Sequence, residues 1–124
     1  MILVDTSVWV DHLRSGEHHL AELLLSARVL VHPHVIGEIA LGSLRDRANV
    51  LGLLRNLPRA QVSKDEDVLD LINLGQLFSC GIGYTDAHLL ASVRAVPGTW
   101  LWTRDKRLFA LAAEMALAYV PGQG

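Results

Sequence analysis

Four acids stand where a chain of alternating strands and helices would bring them to one edge: Asp5, Glu38, Asp86 and Asp105. Asp5 directly follows the apolar run Ile2-Leu3-Val4, and Asp105 comes three residues after Trp102 in the run Trp100-Leu101-Trp102. In an open parallel sheet, ligands bind beyond the carboxyl ends of the strands, where connecting segments converge. Asp86 opens a helical stretch after the glycine-rich approach Gly81-Ile82-Gly83, so it can face the same edge. Glu38 lies among Val35, Ile36 and Ile39 at helical spacing and can reach in from the flank. Carboxylates that meet in this way repel one another, and either protons or hard cations must offset the repulsion. Mg²⁺ or Mn²⁺ fits such oxygen donors. It would bridge to substrate phosphates and, as a pair, activate water and stabilise the leaving oxygen of a phosphodiester. Thr6, Ser7 and Thr103 can supply hydroxyls that orient the carboxylates. The chain holds 13 Asp and Glu residues, most of which should be merely solvated, so position is what separates these four from the rest.

The elements that would place them read as follows. Ile2-Leu3-Val4 and Val29-Leu30-Val31 are short apolar runs with the β-branched content of buried parallel strands, and Trp100-Leu101-Trp102 is a third. Thr6 or Ser7 is expected to cap a helix running to Leu13, and the stretch from Glu17 to Ser26 carries the one-sided apolar spacing of another. Pro33 suits the first turn of the helix holding Glu38, and a further helix is expected from Asp46 to about Asn56. Ser63-x-x-Glu66 has the form of a capping box opening a helix to Phe78, and Thr85 can cap the helix that carries Asp86 and His88. A last helix is expected from near Asp105 to Met115, and Ala118-Tyr119-Val120 as a final strand. Strands alternating with helices imply parallel pairing, right-handed crossovers and a three-layer α/β/α domain. No repeat, low-complexity tract or linker divides residues 1–124, and one domain is expected to cover them.

Four segments together resemble the motifs of PIN-domain ribonucleases: Val4-Asp5-Thr6-Ser7, His34 to Glu38, Gly83 to Ala91, and Thr103 to Leu108. More narrowly, the chain is similar in length and motif order to VapC-type toxins of toxin–antitoxin pairs, from Ile2 nearly to Val120. The resemblance implies a central parallel sheet of about five short strands and Mg²⁺- or Mn²⁺-dependent endoribonuclease activity on an RNA substrate. It also implies a homodimer and inhibition by a small cognate antitoxin. By motif match, Asp5, Glu38, Asp86 and Asp105 become catalytic metal ligands or their immediate support, with Thr6, Ser7 and Thr103 supporting them.

Composition excludes several other classes. With 51% hydrophobic and 19% charged residues the chain suits a compact domain, not a disordered one. Cys80 has no partner cysteine, and Met1-Ile2-Leu3-Val4 carries no basic leader, so a reducing, cytoplasmic location without a membrane span is expected. A net charge of −2 does not announce a nucleic-acid binder, so any RNA contact must be local. The basic runs Arg45, Arg47, Arg55, Arg59 and Arg104, Lys106, Arg107 are either solvated helix faces or phosphate contacts. Cys80 is expected to pack as a small buried residue, His88 to pack or hydrogen-bond, and Trp100 and Trp102 to pack. Six histidines invite a zinc site, but adjacent or alternate pairs such as His32 and His34 diverge in regular structure, and no cysteines support them. Two other functions compete. A catalytically inactive PIN-like module would keep a partner while lacking chemistry. A phosphoacceptor signalling domain would need a lysine at a late strand end, and neither Lys64 nor Lys106 is so placed.

Overall fold

A computed structural model describes residues 1–122. Its elements run β1 (Ile2–Val4), α1 (Thr6–Ser15), α2 (His18–Leu25), β2 (Val29–Leu30), α3 (Pro33–Leu41), α4 (Arg47–Asn56), α5 (Asp65–Leu74), α6 (Tyr84–Ala95), β3 (Trp100–Trp102) and α7 (Lys106–Glu114). The sheet order is β2-β1-β3, all parallel, with Ile2 opposite Val29 and Trp100, and Val4 opposite Trp102.

Ile2, Leu3 and Val4 are each fully buried, although successive strand residues point to opposite faces. Both faces of β1 are therefore covered, which is the α/β/α layering implied by its unbroken apolar run. Each fully buried Leu or Ile contributes roughly 1.5–3 kcal/mol. The core continues through Val29, Val31, Leu101 and Trp102 into Val35, Leu89, Leu90 and Leu108 of the flanking helices.

The sheet is narrower than the five strands expected. Its edges are single parallel bridges, Val31 with Arg59 and Leu101 with Ala118. The Val31 amide donates to Pro58 and its carbonyl accepts from Ala60, while Leu101 does the same with Leu117 and Tyr119. Pro58 and the turn at Ala116, where φ is 58°, leave room for one bridge and no ladder. The expected strand Ala118-Tyr119-Val120 is thus reduced to its first residue.

Helix ends depart from expectation in instructive ways. Ser63 and Glu66 form no capping box: α5 begins at Asp65 after Lys64 without a side-chain cap, and its first turn holds Asp65, Glu66 and Asp67. Three acids there complement the helix dipole without a hydroxyl. The same helix stops at Leu74, not Phe78, because Gln76 turns left-handed (φ 54°) and Leu77 N–H closes back on Ile72. α6 starts at Tyr84 after Gly83, leaving Thr85 inside its first turn. Cys80 is only half-buried, and Trp100 is 40% exposed while Trp102 is 3% exposed, so only the second tryptophan of β3 packs into the core. Among the described residues, no helix is long and apolar enough to cross a membrane.

Candidate active site

The β1–β3 pairing runs one step past Val4, where the Asp5 amide donates to the Trp102 carbonyl at 2.9 Å. This places Asp5 beside Thr103 at the carboxyl ends of the two strands. Asp5 is 5% exposed, and one of its oxygens, Oδ2, accepts from Ser7 Oγ and Thr103 Oγ1, both at 2.7 Å. Hydrogen bonds to a charged acceptor are worth about 1.5–3 kcal/mol each, enough to offset part of the cost of burying the carboxylate.

The hydroxyls expected to cap α1 are thereby committed elsewhere. Asp5 itself flanks the helix without capping it, Ser7 turns to Asp5, and Thr6 Oγ1 donates to Glu38 Oε1 at 2.7 Å. That last bond joins the start of α1 to the exposed acid of α3. Thr103 is also a hub, accepting the Asp105 amide at 3.1 Å, while Ser7 Oγ accepts the Arg104 amide at 3.0 Å. The segment from Thr103 to Asp105 is thus fastened to the end of β1 by side chains.

Asp105 caps α7, its Oδ1 accepting the Leu108 amide at 2.9 Å. Asp86 does the reciprocal work at α6, its Oδ2 accepting the Gly83 amide at 3.1 Å. Sequence reading did not foresee these two backbone anchors. The i to i+3 spacing of Gly83 with Asp86, and of Asp105 with Leu108, was the available signal.

A common pattern emerges across the four acids. Among the described residues, each has one oxygen held by a protein donor, while the other accepts no hydrogen bond from the protein. Among the described residues none of the four makes an ion pair. They do feel one another. Burial pushes the Asp86 carboxyl above the usual aspartate range, the Gly83 amide opposes that, and the charges of Asp5, Asp105 and Glu38 push it higher.

A divalent cation fits this donor set. The free atoms are hard anionic oxygens, and the repulsion at Asp86 is what a cation would relieve. Among the described residues no group of three or more His, Cys, Asp or Glu side chains is drawn together closely enough to hold a metal ion by itself. Mg²⁺ does not require one, since it keeps several waters and takes only one or two carboxylates directly. A cleft of about 470 Å³ between α1, α3 and α4 is lined by Val10, Leu13, Ile39, Leu44 and Val50 and meets the acids only at Glu38.

The other residues singled out separate by their contacts. His88 is buried and bonded to Asp65. The basic run at the β3 end divides, because Arg104 is paired with Asp11 and Glu17 whereas Arg107 lies across Gly81. A Cβ at Gly81 would be strained by its φ of +81° and would stand 2.5 Å from the Arg107 guanidinium, so a larger residue there would require the arginine to shift.

The family model described as PIN domain matches residues 2–114. Ribonuclease VapC32 of Mycobacterium tuberculosis, in the strains CDC 1551 and H37Rv, is 50% identical over 118 residues, covering 95% of this chain and 95% of its own.

Proposed function

The chain belongs to the PIN-domain family and sits with its VapC-type ribonucleases, and from that premise we propose that it is a metal-dependent endoribonuclease whose catalytic centre is Asp5, Glu38, Asp86 and Asp105. The observation that carries the reading is the shared form of the four acids: among the described residues each has one oxygen anchored and the other free, and none is in an ion pair. An inactive binding module would have no need to hold unpaired carboxylates against their mutual repulsion. The phosphoacceptor reading falls with the family match.

In this reading the four carboxylates hold Mg²⁺ or Mn²⁺, which when bound supplies positive charge for the phosphodiester oxygens and favours ionisation of a water nucleophile. Ser7 and Thr103 fix Asp5 in its rotamer by donating to Oδ2, leaving Oδ1 for the ligand. Thr6 aims Glu38 in the same way. Asp86, whose carboxyl burial and the neighbouring acids push above the usual aspartate range, is an acid whose ionisation a bound cation would favour. Rigid anchoring of this sort lowers the reorganisation needed when charge develops in the transition state.

The same reading includes a cognate small antitoxin with a basic side chain for the acidic edge, a homodimer, one PIN domain over residues 1–124 and a cytoplasmic location. Residues 123–124 lie outside the described residues. Charge complementarity supports the antitoxin, and the exposed Leu25, Leu41, Leu53, Leu69, Leu74 and Phe78 supply apolar surface for association. The test is incubation of total cellular RNA with purified, partner-free protein in Mg²⁺, in Mn²⁺ and in EDTA. Discrete cuts that require metal are expected. Absence of cleavage by folded, metal-supplied protein would transfer the reading to a binding module.

A further inference from the structure

Away from the four acids, three helix starts meet in a cluster of titratable side chains. Asp65, at the first position of α5, accepts on Oδ1 from both Tyr84 Oη at 2.7 Å and His88 Nε2 at 3.1 Å. Its side chain is 77% exposed, whereas that of His88 is 3% exposed. The carboxylate therefore reaches inward from the surface to hold a buried ring.

Hydrogen bonding fixes the tautomers. In a neutral ring, donation to Asp65 puts the His88 proton on Nε2 and leaves Nδ1 as an acceptor. His32, the N-cap of α3, accepts the His34 amide on Nδ1 at 3.1 Å, so its proton is on Nε2. Burial, then the neighbouring His34 and His88, hold His32 neutral by lowering its pKa to about 4. His32 Nε2 and His88 Nδ1 are buried and have no hydrogen-bond partner among the described residues. One is a donor and the other an acceptor, with ring centres 5.9 Å apart. His34 packs between them, 5.0 Å from His32 and 4.5 Å from His88.

The placement of this cluster gives it a consequence for the acidic edge. Asp65 grips Tyr84 and His88, which stand two residues before and two after Asp86 on α6. Among the described residues the Asp86 side chain is tied only within its own turn, to the Gly83 amide. That bond fixes the carboxylate relative to α6, and the direction of the turn itself is set by what holds Tyr84 and His88.

We propose that Asp65, an acid outside the four motifs, is a positioning residue for the candidate active site: its paired hydrogen bonds to Tyr84 and His88 set the first turn of α6 and thereby aim the free oxygen of Asp86. The kinetic side of this inference rests on the ribonuclease reading, and the structural side does not. Groups that orient such acids typically matter by about ten- to a hundredfold, and an exposed one belongs at the lower end.

The experiment compares the parent with Asp65→Ala, Asp65→Asn and Tyr84→Phe. In metal-free protein, Asp65→Ala should shift the Gly83 amide proton and speed its exchange, and the His88 ring nitrogens should lose the pure Nε2–H signature. Asp65→Asn, whose amide oxygen still accepts from both donors, should restore both signals. With Mn²⁺ and RNA, Asp65→Ala should lower kcat about tenfold with KM nearly unchanged, and Asp65→Asn should recover most of the loss. Tyr84→Phe removes one of the two bonds and repeats the pattern at smaller amplitude, should Asp65→Ala fail to fold. An unchanged Gly83 amide overturns the proposal, as does equal behaviour of the alanine and asparagine variants, or an unchanged kcat in an active parent. A parent that cuts no RNA removes the ribonuclease reading, and the Gly83 and His88 signals then decide the positioning role alone.

Discussion

Two groups of acids lie on either side of Arg104 and have opposite electrostatics. Asp11 and Glu17 share its guanidinium, with Asp11 Oδ2 at 2.5 Å from Nη1 and Glu17 bonded to Nη2. Arg104 holds the Glu17 carboxyl below the usual glutamate range, chiefly through that hydrogen bond. At the neighbouring edge, burial pushes Asp86 the other way, and Asp5, Asp105 and Glu38 add to the push. The sequence neighbours Thr103, Arg104 and Asp105 serve both groups: Thr103 holds Asp5, Asp105 joins the unpaired set, and Arg104 turns its charge to Asp11 and Glu17. A fold that can neutralise acids with an arginine only a residue away, yet leaves four without one, holds those four ready for a cation from outside. The paired acids belong to the scaffold.

The sharpest way to break this distinction is the same chemical change on both sides. Asp5→Asn should lower metal-dependent RNA cleavage on the order of 10²-fold or more, because several kcal/mol of transition-state charge stabilisation go with it. Asp11→Asn should leave the cleavage rate within about twofold, since an exposed ion pair is worth at most ~1 kcal/mol and lies outside the chemistry. Equal losses would erase the distinction.

A smaller effect is expected from the support of Asp5. Thr103→Val deletes a buried donor to Oδ2 and should cost about tenfold in the metal concentration needed for half-maximal cleavage. It should also cost roughly 1–3 kcal/mol in urea unfolding, because the carboxylate stays buried with one partner fewer. Full metal affinity in this variant would show that Ser7 suffices.

The two groups should then differ in the sign of their pH dependence. Asp86 has its carboxyl pKa raised by folding, so the folded chain favours the protonated form. Its contribution to metal-free stability is greatest below the ordinary aspartate range and declines as pH rises through that value to the raised one. Asp86→Asn should therefore raise the metal-free Tm at pH 7 by a few degrees, about what a fraction of a kcal/mol produces, while abolishing stabilisation by Mn²⁺. A lower metal-free Tm in this variant would contradict the repulsion argument. Glu17 has its pKa lowered, so its contribution is present above the ordinary glutamate range and lost as pH falls through the lowered value. Glu17→Gln should cost about 0.2–1 kcal/mol at pH 7, less as acid is added, with cleavage unchanged.

Much of the frame was legible in short runs. Ile2-Leu3-Val4 has no polar residue to turn to solvent, so a strand buried on both faces was its only comfortable state. Pro33 and the apolar spacing after it located α3 and put Glu38 on a helix. The end of α5 was less legible, because the chain turns left-handed at Gln76, which is not the glycine that usually marks such a turn. The sheet edges were overread, since three apolar residues at 118–120 satisfy a strand pattern while the turn at Ala116 leaves only one bridge to Leu101.

By itself the sequence determined which residues are acids, which runs must be buried and the order in which they alternate, because side-chain chemistry and hydrophobic periodicity are local properties. Only the tertiary structure decided which hydroxyl serves which carboxylate. Thr103 reaches Asp5 across 98 positions and Thr6 reaches Glu38 across 32. It also decided that Arg104 neutralises Asp11 and Glu17 and not the acid beside it, and that Asp65 holds the turn bearing Asp86. A hydrogen bond depends on direction and distances of a few ångströms, and these are set only when parallel strands and the helix starts at their ends have been packed together.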